Sequence, residues 1–225
     1  MARRRRRFPG IFITLEGIEG SGKSTQAKRL GAHLRALGYR IVETREPGGT
    51  PLAEKIRAVL LDRTAEPFAP ETEAFLVFAA RRQHVTQVIE PALSRGAIVL
   101  CDRFNDSTLA YQGSARGLDL ASLERMNGLA TDELEPDLTL LFDLPAKTGL
   151  ARRRRAAETN RLDRETLRFH EKVRAGFRSL ARREPRRISL IDADRPEEAI
   201  ARDVTQAVMP LLARTPRRKV RHAVR

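Results

Sequence analysis

Eight consecutive residues, Gly17-Ile18-Glu19-Gly20-Ser21-Gly22-Lys23-Ser24, fill every fixed position of the phosphate-loop pattern G-x-x-x-x-G-K-[ST]. The chemistry follows from the residue types. Glycines let the backbone curl closely around phosphate oxygens and aim successive N–H groups inward. The helix that must follow adds its positive N-terminal end. Lys23 is placed to neutralise the β- and γ-phosphates, and the Ser24 hydroxyl to meet Mg²⁺. Gly17 through Thr25 is therefore the candidate triphosphate site. Motors, switches and small-molecule kinases share such a loop, so the loop alone does not name the reaction.

The loop needs a strand before it and a helix after it. Ile11–Leu15 reads as a short buried strand, and Thr25–Leu37 as a helix with Ala27, Leu30, Leu34 and Leu37 at helical spacing. Further strands are expected at Ile41–Thr44, Ala97–Cys101, Leu138–Phe142 and Ile188–Ile191. Helices are expected at Pro51–Leu61, Thr72–Ala92, Leu120–Ala130, Lys147–Ala157, Asp163–Arg182 and Pro196–Leu212. Five apolar strands alternating with helices imply an α/β fold with a parallel sheet covered on both faces. Ligands of such sheets bind beyond the carboxyl ends of the strands. That rule gathers the loop after Leu15, the turn Arg45-Glu-Pro-Gly-Gly-Thr50, the pair Asp102-Arg103 and Asp143 into one crevice.

Composition narrows the classes. The 225 residues suffice for one sizeable domain, and no apolar run approaches the roughly 18 residues a membrane helix needs. The start, five arginines and then Phe8-Pro-Gly-Ile-Phe-Ile, mimics a secretory signal, but the apolar stretch ends at Glu16 with no small-residue cleavage site. A single cysteine, Cys101, excludes an internal disulfide framework and fits a reducing cytoplasm. The net charge of +14 lies mostly in two tails: Arg3–Arg7 and six basic residues from Arg214 to Arg225 account for 11 of the 43 Lys and Arg, leaving 32 against 29 acidic residues. Such tails attract polyanions weakly. With no Trp and two Tyr there is little for base stacking, so no specific nucleic-acid partner is expected. The expected organisation is a basic tail over 1–10, one domain over 11–213 and a second basic tail over 214–225.

Arginines at two strand ends, Arg45 and Arg103, supply a second anion site beside the triphosphate loop, because a guanidinium bonds a phosphate with two parallel N–H groups. Asp102, at the tip of a buried strand, is the candidate metal-organising carboxylate together with Ser24. Two anion sites side by side suit a kinase for a phosphorylated acceptor, whose reactants repel unless cations line the space between them. Arg152-Arg-Arg-Arg155, Arg161 and Arg164 could do this from a mobile lid over about 150–162. Four consecutive residues cannot share one helix face, so the candidates are Arg152 or Arg154, together with Arg161. Phe78 and Arg81, three apart on the long helix, could stack on a base and bond its edge, while Phe78 as ordinary core is the competing reading. Tyr111-Gln112-Gly113, after Ser107-Thr108, reads as polar and loop-like, and could meet a sugar or base.

Taken in order, Leu15-Glu-Gly-Ile-Glu-Gly-Ser-Gly-Lys-Ser24, Thr44-Arg-Glu-Pro-Gly-Gly-Thr50, Phe78-Ala-Ala-Arg81, Asp102-Arg103, Ser107-Thr-Leu-Ala-Tyr-Gln-Gly113 and Pro136-Asp-Leu-Thr139 resemble the bacterial thymidylate kinases, over about Ile11 to Leu212. The resemblance implies a three-layer phosphate-loop kinase fold and transfer of the ATP γ-phosphate to dTMP, giving dTDP for dTTP synthesis, with Mg²⁺. It implies that Phe78 stacks on thymine, Arg81 bonds its edge, and Arg45, Arg103 and Ser107 hold the acceptor. It places Glu19 near the acceptor sugar and phosphate, Tyr111 against the sugar 2′ position and Gln112 near the base. Gly20 stands where some relatives carry a loop arginine, which implies that the catalytic arginine comes from Arg152–Arg155. It also implies a homodimer joined through helices. Two departures stand out: Leu109, where many relatives have Gln, and Asn160-Arg-Leu-Asp163, where the lid of relatives often reads Asp-Arg-[apolar]-Glu.

Competing readings are a kinase for another nucleoside monophosphate, a phosphate-loop ATPase acting on nucleic acid through the tails, and a nucleotide-binding regulator without turnover. Acceptor preference separates the first, DNA- or RNA-stimulated hydrolysis the second. The combined presence of Lys23, Ser24, Asp102 and Arg103 argues against the third.

Overall fold

Six successive buried residues, Ile11–Glu16, form β1, the centre of a five-stranded sheet. A strand buried on both faces is mostly apolar, and this one is except for Glu16 at its end and Thr14, whose hydroxyl pairs with that of Thr139 at 2.8 Å. The structure, a computed structural model, describes residues 8–63, 66–154 and 161–213. β2 (Ile41–Arg45), β3 (Ile98–Asp102), β4 (Leu138–Asp143) and β5 (Ile188–Asp192) complete the sheet in the order β2-β3-β1-β4-β5, every pair parallel. The register sets Asp102 beside Leu15 on one side and Arg45 on the other. β1, β2 and β3 thus end within a residue of one another, and the groups that follow them meet at one level.

Side chains alternate across β1 as the two-residue period requires. Ile11, Ile13 and Leu15 enter a large core cluster with Leu30 and Leu34 of α1 (Lys23–Ala36) and Val204 and Val208 of α9 (Glu197–Ala213). Phe12 points the other way, to Val99, Cys101 and Phe104 under Val85, Ile89 and Leu93. The sheet therefore lies between two helical layers, the three-layer arrangement expected.

α2 (Pro51–Leu61) starts where its signals place it, with Pro51 in the first turn and the Thr50 hydroxyl accepting from Ala53 N–H at 3.2 Å. The long helix expected over Thr72–Ala92 is interrupted. α3 (Pro70–His84) passes through a π-helical turn, Val85–Ile89, into α4 (Glu90–Ser94). Pro91 has no N–H to donate, and the wide turn just before it alters the ladder where that donor is missing. The helix expected from Asp163 also splits, into a 3₁₀ turn (Arg161–Arg164) and α8 (Leu167–Arg183), because the Thr166 hydroxyl caps Phe169 N–H.

The largest correction concerns Tyr111-Gln112-Gly113. It is not a loop: α5 (Asn105–Thr108) runs into a π-helical segment, Leu109–Ala115, whose residues Leu109 to Gly113 are buried. This segment packs against α8, where a Cβ on Gly176 would sit 2.5 Å from Ser114 Oγ and 3.2 Å from Ala110 Cα. Glycine is what lets the two helices approach. α6 (Leu120–Thr131) and α7 (Ala146–Arg154) complete the layers. Both expected tails beyond Phe8 and Ala213, and lid residues 155–160 including Arg155 and Asn160, lie outside the described residues.

Candidate active site

The phosphate loop bends sharply between β1 and α1. Gly17 has φ 140°, and a Cβ there would strike the Phe142 carbonyl of β4, so neither the angle nor the space admits a side chain. The loop closes over its own lysine. Lys23 Nζ donates to Ile18 O at 2.8 Å, Gly17 O at 3.0 Å and Ser21 Oγ at 3.1 Å. Burial pushes its ammonium pKa down to about 8, and nearby Arg103 adds to the effect. At the next residue, the Ser24 hydroxyl donates to Asp102 Oδ2 at 2.6 Å. The expected metal pair is thus in contact across 78 residues of sequence.

Arg103, expected in a second anion site, is the hub of a hydrogen-bond network beside the loop. Its backbone occupies the left-handed region at φ 73°, which turns the side chain back across the loop. Nη1 donates to Gly17 O (2.9 Å) and Ser107 Oγ (3.0 Å); Nη2 donates to Glu19 Oε1 (3.0 Å) and Tyr111 OH (3.2 Å). Tyr111 OH in turn donates to Glu19 Oε1 at 2.6 Å. Burial pushes the Glu19 carboxyl up, but Arg103, His170, Lys23 and Tyr111 together outweigh it and hold the group ionised, well below the usual carboxylate range. Burial likewise works against the Arg103 charge, and Tyr111, Glu19, Asp102 and Glu16 more than restore it. Glu16, missed by sequence reasoning, fixes the backbone here: Phe104 N–H reaches its Oε1 at 2.7 Å and the Ser107 hydroxyl its Oε2 at 2.6 Å. Burial, then the Asp106 carboxylate, push the Glu16 carboxyl up to about 8.

These residues line a cavity of about 340 Å³ that holds Glu19, Gly20, Lys23, Ser24, Arg45, Arg81, Asp102, Arg103, Ser107, Tyr111, Gln112 and Arg161. At its far end Arg81 is fully buried. Its Nε donates to Glu46 Oε2 (2.7 Å), Nη1 to Asn127 Oδ1 (3.2 Å) and Nη2 to Thr108 Oγ1 (3.0 Å). Glu46, from the turn after β2, is held on its other oxygen by His84 at 3.0 Å, and His84 reaches Thr44 at 2.6 Å. Gln112 Nε2 donates to Glu73 Oε1 at 2.7 Å.

Phe78 is not at this end. It sits in the core at 6% exposure, its ring 5.5 Å from the Arg81 guanidinium, while Val77 faces the cavity. The spacing explains the difference: a residue four before Arg81 covers the same stripe as one three before, but on the opposite edge. The lid arginines divide in the same way. Arg152 turns away, to Ala193 O (2.9 Å) and Asp194 (3.1 Å), and Arg154 is exposed and outside the cavity lining. Arg153 lines the cavity, held by both Asp163 oxygens at 2.9 and 3.0 Å. Arg161 is restrained by Glu73 at 2.6 Å and Leu60 O at 3.1 Å. Arg57 lines the cavity from α2 and was not anticipated; burial, then Arg45, push its pKa down. Its place four after Ala53 and three before Leu60, the two buried residues of α2, puts it on the inward face of a helix that the sequence does place.

A parallel sheet whose central strand feeds a phosphate loop, with a cation-lined chamber beside it, is the architecture of the phosphate-loop kinases. A family model described as thymidylate kinase matches residues 15–204. The thymidylate kinase of Geobacter sulfurreducens is 53% identical over 215 residues, covering 93% of this chain and all of the relative. That of Thermomicrobium roseum is 53% identical over 204 residues, covering 90% and 96%. The crystal structure of thymidylate kinase from Ehrlichia chaffeensis superposes with a TM-score of 0.73 at 33% identity, covering 88% of this chain and 98% of that one. The chain belongs to the thymidylate kinase family.

Proposed function

We propose that the chain transfers the γ-phosphate of ATP to dTMP, and that the cavity described above is where both reactants meet. One observation carries the reading: a single chamber is lined at one end by Lys23, Ser24 and Asp102 and at the other by Arg81 and Gln112, with Arg45, Arg57, Arg103 and Arg153 between. Anion sites face each other through cations, as transfer between two phosphorylated nucleotides requires.

ATP takes the loop from Gly17 to Thr25, and Lys23 exchanges its carbonyl partners for β- and γ-phosphate oxygens. The donor set beside the loop, one hydroxyl and one carboxylate 2.6 Å apart, fits Mg²⁺, which prefers oxygen ligands and keeps phosphate and water in its shell. When bound there it neutralises charge on the phosphate oxygens. Arg103 and Arg45, with Arg57, hold the acceptor phosphate in line, and Arg103 touches the transferred group. Arg153 takes the lid role expected of Arg152 or Arg154, with Asp163 fixing its fork. Tyr111, pinned by Glu19 and Arg103, closes the space beside the sugar 2′ position. Val77 covers the base, and Arg81 donates to its edge.

A homodimer goes with this reading. α3 and α6 leave an apolar face formed by Phe75, Phe78, Met126 and Leu129, of which Leu129 is 85% exposed. A second copy covers such a face. A cytoplasmic setting goes with the buried, unpaired Cys101.

A coupled assay of ADP release tests the function: dTMP, with ATP and Mg²⁺, is expected to outpace dCMP, dGMP and AMP, and Arg81→Ala to lose that preference. Release independent of every acceptor, from a folded protein that binds ATP, refutes it.

A further inference from the structure

We infer that Glu73 determines which pyrimidine edge the cavity accepts, by fixing which way the Gln112 amide faces. The inference rests on the kinase reading above and deepens it. A glutamine amide carries a donor and an acceptor of nearly equal shape, so an unrestrained one serves either edge of a ligand. Here the Nε2 group is committed to Glu73 Oε1 at 2.7 Å. Glu73 can only accept. Its other oxygen takes Arg161 at 2.6 Å and Arg116 at 3.4 Å. Burial pushes its carboxyl up, but Arg161, Arg116 and Gln112 outweigh burial and keep it ionised. Gln112 therefore offers the ligand Oε1, an acceptor.

The other group at this end, Arg81, can only donate. Acceptor beside donor is the complement of thymine, whose N3–H donates and whose 4-oxygen accepts. Cytosine presents the reverse, a bare N3 and a 4-amino group, and leaves polar atoms unpaired on both sides. Sites built this way reject the wrong partner strongly, because the unmatched groups are buried. Glu73 is a positioning residue in this scheme: it acts through Gln112.

Glu73→Gln removes the commitment, since a neutral amide at 73 can accept from or donate to Gln112. The test compares kcat/KM for dTMP, dUMP and dCMP in wild type, Glu73→Gln and Gln112→Met. Uracil has the same N3–H and 4-oxygen edge as thymine, so the dTMP to dUMP ratio is the internal control. In Glu73→Gln the dTMP to dCMP ratio is expected to fall on the order of tenfold or more, through gain of dCMP turnover, with dTMP to dUMP unchanged. Gln112→Met, which keeps volume and loses both amide groups, is expected to lower the same ratio through loss of dTMP turnover alone. A merely structural role lowers all three nucleotides together. An active wild type whose folded variants keep its dTMP to dCMP ratio overturns the assignment of Glu73. A wild type inactive on dTMP overturns the functional reading with it.

Discussion

Truncating Phe78 separates packing from base recognition. The ring is 6% exposed, in contact with core residues and with the Arg81 guanidinium, and outside the cavity lining. Phe→Ala changes in such places cost about 3–5 kcal/mol. For a chain of this size each kcal/mol moves Tm by about 2–4 °C, so Phe78→Ala should melt about 6–20 °C lower. Its KM for dTMP should rise only a few-fold, through a loosened Arg81. Val77→Ala should do the opposite. Two methyl groups at about 0.8 kcal/mol each are about 1.6 kcal/mol of lost cover for the base, a KM for dTMP raised roughly 15-fold. Val77 is half-buried in the absence of ligand, so Tm should fall by a few degrees at most. Circular-dichroism melting gives the first quantity, and coupled ADP release well below the lower Tm the second. A Phe78→Ala protein with wild-type Tm and a KM raised more than tenfold refutes the placement of both residues.

Arg57→Ala should raise KM for dTMP about 10- to 100-fold with kcat nearly unchanged, as expected for loss of one charge-assisted contact to the acceptor phosphate. Arg153→Ala should cut kcat about a hundredfold or more, whereas Arg152→Ala, whose fork binds Asp194 and Ala193 O, should leave kcat within about threefold; steady-state kinetics with saturating ATP checks the pair. Lys23 carries a pKa lowered to about 8 by burial, and bound phosphates should raise it again. ATP binding between pH 8 and 10 should therefore take up protons, seen as a buffer-dependent heat in calorimetry, and the uptake should vanish below pH 7 where Lys23 is charged in both states. Leu129→Glu should halve the mass measured by analytical ultracentrifugation.

Sequence reasoning reached the groups whose position local chemistry dictates. The phosphate loop, Asp102 and Arg103 each sit at the end of an apolar strand, and parallel pairing brings strand ends together whatever the rest of the chain does. It failed where placement depends on partners distant in sequence. Phe78 and Val77 are one residue apart on the same helix, and only the packing of α6 beneath α3 decides which of them faces the cavity. Arg152 and Arg153 are likewise neighbours. Asp194 claims the first and Asp163 the second, and neither acid announces its partner by spacing. The segment Tyr111-Gln112-Gly113 looked like a loop because its polar groups seemed destined for water. Glu73, Glu19 and Arg103 satisfy them instead, from 39, 92 and 8 residues away, and that removes the cost of burying them in a helix. The same rule locates the misreadings and the function. Gln112 is the case where both meet: Glu73 holds its amide from across the cavity, and that partner leaves it a single hydrogen-bonding sense with which to read a ligand.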